Sequence, residues 1–146
     1  MLIATEKAAI AAYSWLGKDN KHMADQAAVS AMRKQLNLTN FHGTIKIGEG
    51  ERDKAPMLSI GEIVGNQKGI RLDIALDPLE GTSMCAKGES GSLSVLAIAR
   101  PNTILHSPDV YMDKLITSSD IEPSSIDLNK SLTLNLKAIA KQKKNM

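Results

Sequence analysis

The spacing of apolar positions changes near residue 43, from helical steps of three and four to the alternation of strands. Residues 4–16 combine good helix formers with Ile10, Tyr13 and Trp15, and Gly17 follows as a C-terminal cap. A second helix is predicted from Asn20 to Leu36, with Ala28, Val29, Met32 and Leu36 as its apolar stripe. Asn37 to Gly43 reads as a connection. Thr44 to Ile47 alternates as a short strand, and Gly48-Glu49-Gly50-Glu51 breaks it. Met57 to Val64 is a further strand candidate, with Gly61 marking a bulge or a close backbone approach. Asn66 to Gly69 is a turn. Arg71 to Leu76 is a strand that runs into Asp77-Pro78-Leu79-Glu80-Gly81-Thr82. Ser92 to Ala99 is a strand, and Thr103 to Leu105 a weaker one. Residues 117–130 are polar, carry Pro123 and read as loop, and Leu132 to Lys143 forms a last helix. Helices followed by strands point to an α+β or layered arrangement rather than alternating βαβ units.

A chain of 146 residues holds one domain with a core of its own. Aromatic residues make up only 3%, so that core must rest on Ala, Leu, Ile, Val and Met. The net charge of +2 is too small to predict nucleic-acid binding, and the excess sits in Lys137, Lys141, Lys143 and Lys144, a solvated end. The lone Cys85 excludes an intrachain disulfide and a multi-cysteine zinc site, and fits a reducing cytoplasm. No apolar run approaches the roughly 20 residues that span a bilayer. The expectation is a cytoplasmic protein with no nucleic-acid or membrane partner.

Acidic residues change the picture. Seven of the sixteen fall between Glu49 and Glu80, interleaved with Gly and Pro. Glu49, Glu51 and Asp53 are spaced by two and share one face if extended. Such carboxylates repel one another unless a cation or basic partner neutralises them, and hard oxygen ligands suit Mg²⁺ or Mn²⁺. An acidic surface turn is the alternative. The second pattern is stronger. A strand ends at Asp77, Pro78 forces a turn, and Glu80-Gly81-Thr82 opens a short helix. Asp77 and Glu80 can then face one site, while amides near Gly81 and Thr82 form an anion-favouring helix start. An ordinary strand–turn–helix connection is the competing explanation. Lys21 and Asp25 share a helix face, but spacing alone argues no ligand role for Asp25. His22, His42 and His106 show no metal spacing.

These residues together resemble the class II (GlpX-type) fructose-1,6-bisphosphatases. The matching segments are Tyr13-Ser14-Trp15-Leu16-Gly17, Ala24-Asp25-Gln26-Ala27-Ala28-Val29, Gly43 through Asp53, Ala55-Pro56-Met57-Leu58, Asp77 through Thr82, and Pro108-Asp109-Val110-Tyr111-Met112. The Asp77–Thr82 block alone is shared, in variant form, with inositol monophosphatases and other lithium-sensitive phosphatases, which act on inositol phosphates or nucleotide 3′-phosphates. The Gly48–Glu51 block points to class II. The resemblance implies a layered α-β-α-β-α sugar-phosphatase fold, with paired helices on a mostly antiparallel sheet. It further implies that Asp25 and Glu49 help bind one divalent ion, Mn²⁺ or Mg²⁺, and that Asp77 and Glu80 bind another. Glu80, Gly81, Thr82 and Tyr111 would contact the sugar bisphosphate, and Asp53 and Thr82 would orient and deprotonate the attacking water. The implied reaction is hydrolysis of the 1-phosphate of fructose 1,6-bisphosphate to fructose 6-phosphate, a step of gluconeogenesis. Some relatives also accept sedoheptulose 1,7-bisphosphate.

Family members run to more than twice this length, so residues 1–146 are expected to form a single partial domain, the N-terminal half of the layered fold. The distal half would hold a further glutamate ligand and residues for the second phosphate. The expectation is therefore little activity from this chain alone, apolar strands left uncovered, and association as a homo-oligomer or with a separately encoded C-terminal half. A non-catalytic fragment is the alternative.

Overall fold

The computed structural model describes residues 1–49, 58–107 and 112–144. The chain divides into two compact units, Met1–Pro108 and Asp109–Met146.

The first unit opens with α1 (Leu2–Tyr13) and α2 (Lys21–Asn37), which pack on each other. The buried stripe of α1 is Ala4, Ala8 and Ala12, repeating every fourth residue so that all three lie on one face. Small side chains there let α1 pack closely on α2, where Ala24 and Ala28 are also buried. Ile10 and Tyr13, the larger apolar residues of α1, point outward at 64% and 73% exposure. The helix stops at Tyr13, short of the predicted Leu16, and tightens into a turn in which Trp15 N–H donates to Ala12 O (2.8 Å). Gly17 ends that turn at φ +70°. Asn20 starts α2 as expected, its side chain accepting the Met23 N–H (3.1 Å). The predicted stripe Ala28, Val29, Met32 and Leu36 is buried in full.

Four strands follow: β1 (His42–Ile47), β2 (Ile63–Val64), β3 (Arg71–Glu80) and, after the short helix α3 (Thr82–Lys87), β4 (Leu93–Ala99). Their order is β2-β1-β3-β4, with β1–β3 parallel and the other two pairings antiparallel. This mixed α+β, mostly antiparallel architecture agrees with the expected class. The core joins Met32 and Leu36 to Phe41, Ile45, Leu58, Val64, Ile74 and Leu76. With one phenylalanine in the chain, aliphatic residues do supply most of that core. β4 is an end strand of the sheet, and Leu93, Val95 and Ile98 on it are exposed.

Three predicted strand boundaries are corrected. Only Ile63–Val64 of the Met57–Val64 candidate forms a strand; Met57 lies outside the described residues. The segment before it turns because Gly61 adopts φ +87°, and no atom lies close enough to require a glycine for space. Thr103–Leu105 is not a strand either. Asn102 takes φ +62° and its N–H donates to Asp73 Oδ2 (2.7 Å), which bends the chain away from the sheet. Finally, β3 does not end at Asp77 with a turn at Pro78 but continues to Glu80.

In the second unit, a 3-10 turn (Pro123–Ser125) sits in the polar stretch read as loop, and α4 (Leu132–Lys144) forms where predicted. Asn135 is the buried residue of α4. Its side chain accepts the Asp127 N–H (2.9 Å) and donates to Asp127 O (2.8 Å), folding the preceding loop onto the helix. Among the described residues no helix is long and apolar enough to cross a membrane.

Candidate active site

The site is built where β3 loses its regular register. Ile74 and Leu76 enter the core, so alternation sends Asp73, Ala75 and Asp77 to the opposite face. Asp77 pairs with Val95 and Glu80 with Leu93, which leaves one extra residue in β3. That is a β-bulge, and Pro78 lies within it. A proline has no N–H for the ladder, so a central strand accepts it only at such a break. Leu79 N–H turns to Asp77 Oδ1 instead (3.0 Å). Gly81, at φ +78°, then turns the chain into α3, and the Ser92 hydroxyl donates to its carbonyl (3.0 Å). Thr82 is the first residue of α3, and Gly81 places no side chain over the N–H groups of that first turn.

The bulge brings Asp77 and Glu80 into side-chain contact. The Asp77 carboxyl is pushed up from 3.8 to about 6, first by burial, then by its hydrogen bond with Glu80. The charges of Glu80 and Asp25 push it further, and the Leu79 N–H pulls it down. Asp25 thus reaches this cluster electrostatically from the start of α2, a placement that helical spacing did not reveal. A carboxylate whose ionisation is opposed by burial and neighbouring acids, as that of Asp77 is, belongs to a donor set a hard divalent cation relieves. Among the described residues no three Asp, Glu, His or Cys side chains close into one ligand shell. Asp77 and Glu80 are two neighbouring carboxylates, a donor type that suits a hard divalent ion.

Glu49 is placed by another device. It follows β1, its N–H donates to Leu58 O (2.9 Å), and it bridges Ser59 in parallel register. Gly48 makes this approach possible, since a Cβ there would run into the Leu58 carbonyl oxygen. Glu51, Asp53 and Tyr111 lie outside the described residues.

Two of the seven clustered acids have structural work instead. Asp73, only 3% exposed, sits 4.0 Å from Lys46 Nζ and accepts the Asn102 N–H. Glu62 pairs with Arg33 of α2 at 2.8 Å. Sequence reasoning missed Arg33 and Lys46 because both partners come from distant segments. A cleft of about 330 Å³, also unforeseen, lies between Asp19, Asn20, Lys21 and His22 at the start of α2 and Ser83, Ala86 and Lys87 of α3. Lys21 and Lys87 give this cleft its basic side chains.

Compared with known proteins, residues 1–146 match the family model for bacterial fructose-1,6-bisphosphatase, glpX-encoded. The chain belongs to that family. It is 52% identical over 136 residues to the fructose-1,6-bisphosphatase class 2 of Haemophilus influenzae, covering 93% of this chain and 40% of the relative. The same figures hold for fructose-1,6-bisphosphatase 1 class 2 of Escherichia coli K12. A D-fructose 1,6-bisphosphatase class 2/sedoheptulose 1,7-bisphosphatase of Trichodesmium erythraeum is 47% identical over 147 residues, or 92% of this chain and 42% of the relative. The chain thus spans about two-fifths of the length of these class 2 bisphosphatases.

Proposed function

We propose that this chain carries the cation-binding part of a class II fructose-1,6-bisphosphatase, which hydrolyses the 1-phosphate of fructose 1,6-bisphosphate to give fructose 6-phosphate in the cytoplasm. The observation behind this reading is the contact between Asp77 and Glu80, with Asp25 close enough to raise the Asp77 pKa. Family membership supplies the substrate class.

Asp77 and Glu80 are assigned to one divalent ion, Mn²⁺ or Mg²⁺, and Asp25 and Glu49 to a second. Bound there, divalent cations neutralise phosphate oxygens and acidify a water, the help that an unreactive phosphate monoester needs. The chain's own groups do the rest. Glu80, Gly81, Thr82 and Tyr111 hold the sugar bisphosphate, with the amides opening α3 as donors to phosphate oxygen. Asp53 and Thr82 orient the attacking water and take its proton.

Mn²⁺ titration followed by electron paramagnetic resonance, with phosphate release measured alongside, tests the assignment. Mn²⁺ should bind the chain, and Asp77→Asn and Glu80→Gln should each weaken binding at least about tenfold, since even outer-shell changes cost that much. Mn²⁺ affinity unchanged by both substitutions, or phosphate release with no divalent ion present, would overturn the reading.

A further inference from the structure

We propose that Arg33 and Glu62 are positioning residues for Glu49; the inference rests on the assignment of Asp25 and Glu49 to a shared divalent ion. Glu62 closes a turn that begins at Leu58. One of its carboxylate oxygens lies 2.8 Å from Arg33 Nε, a charge contact in which the N–H is not aimed at the acceptor. The other accepts the Ser59 N–H (3.3 Å). Glu62 N–H donates to Ser59 O (3.0 Å), so the turn is closed by backbone and side chain together.

The turn is also tied to β1. Ile45 N–H donates to Glu62 O (3.0 Å), and Gly61 N–H to Ile45 O (2.8 Å). Its first residue, Leu58, is fully buried at φ +57°, a conformation that a branched side chain adopts only when its surroundings impose it. Leu58 O and Ser59 are the groups that hold the Glu49 backbone. The Glu49 backbone is therefore held on this turn, and the turn is tied to α2 through Arg33.

Asp25 lies two helical turns before Arg33 on the same α2. One rigid helix thus carries one carboxylate of the assigned ion and the anchor for the other. The Glu62 side chain is 14% exposed and that of Arg33 39%, so the pair lies between the surface and buried classes of ion pair.

The test uses the 146-residue chain with Arg33→Met, Glu62→Gln and the conservative Arg33→Lys. Hydrogen exchange in the absence of metal reports the Glu49, Ser59 and Gly61 amides, and Mn²⁺ titration reports the ion site. Arg33→Met and Glu62→Gln should accelerate exchange at those amides while β3 amides keep their protection, and should lower Mn²⁺ affinity about tenfold. Arg33→Lys should recover most of both losses. Unchanged exchange at Glu49, or a loosened turn with Mn²⁺ affinity intact, overturns the positioning role and leaves the ion assignment standing. A wild-type chain that binds no Mn²⁺ overturns the ion assignment itself, and this inference with it. If Arg33→Met unfolds the chain, seen as exchange at every amide, Glu62→Gln decides.

Discussion

Asp77 and Glu80 are three positions apart in the sequence yet touch on one face of the sheet, because β3 takes in an extra residue between them. Val95 and Leu93, their partners on β4, are two positions apart. Regular alternation would send the two carboxylates to opposite faces. The bulge at Pro78-Leu79 reverses that, and it is the feature from which the candidate site follows.

The contact sets an unusual titration. In the metal-free chain Asp77 should titrate near 6, and Glu80→Ala should lower that value without returning it to 3.8. Burial, the largest cause, survives the substitution, while the hydrogen bond and charge of Glu80 do not. Carboxyl NMR across a pH series checks this. An Asp77 that titrates normally in the wild-type chain would show that the pair does not form.

Stability should follow the same group. Because folding raises the Asp77 pKa, the folded chain holds a proton that the unfolded chain has released between pH 3.8 and about 6. Its contribution is therefore complete below pH 3.8 and is lost as pH rises through about 6. Denaturant melts in EDTA should show wild type losing stability over that window relative to Asp77→Asn. On the proposed assignment, Mn²⁺ should restore stability above the window, since the ionised pair would be the form that binds it.

Gly48 and Gly61 should respond differently to alanine. Gly48→Ala drives a methyl group into the Leu58 carbonyl and should cost about 1–3 kcal/mol through overpacking, with weaker Mn²⁺ binding as Glu49 shifts. Gly61→Ala meets no atom and should cost only the left-handed backbone penalty, about 1–2 kcal/mol. Chemical denaturation and Mn²⁺ titration of both variants separate steric from conformational causes. Equal Mn²⁺ affinity in wild type and Gly48→Ala would remove Gly48 from the support of Glu49.

On α1 the small residues matter more than the large ones. Ala8→Leu should destabilise the chain by about 1–3 kcal/mol, because Ala8 is fully buried against the neighbouring helix. Ile10→Ala should change stability by no more than about 0.5 kcal/mol, its side chain being largely in solvent. Thermal melts that reverse this order would show that the packed face of α1 has been misassigned.

Much of this was legible in the linear chain. The stripe Ala28, Val29, Met32 and Leu36, the cap at Asn20, the strands around Ile45, Ile74 and Leu96, and the helix at Leu132 all follow from local periodicity and capping, which act over one or two turns. The Asp77–Thr82 block and Gly48-Glu49 also announced the family, since those segments match it directly. What local rules could not reach were the bulge and the sorting of the acids. Pro78 read as a turn because proline breaks a regular ladder; only pairing with β4 turned the break into a bulge within a continuing strand. Glu62 and Asp73 resembled Asp77 and Glu80 in residue type and lay in the same acidic stretch. Tertiary contacts with Arg33, Lys46 and Asn102 occupied the first two, while Glu80 and Asp77 were left to oppose each other's charge. A carboxylate's role depends on which distant groups share its surroundings, and that is decided by packing rather than by neighbours in sequence.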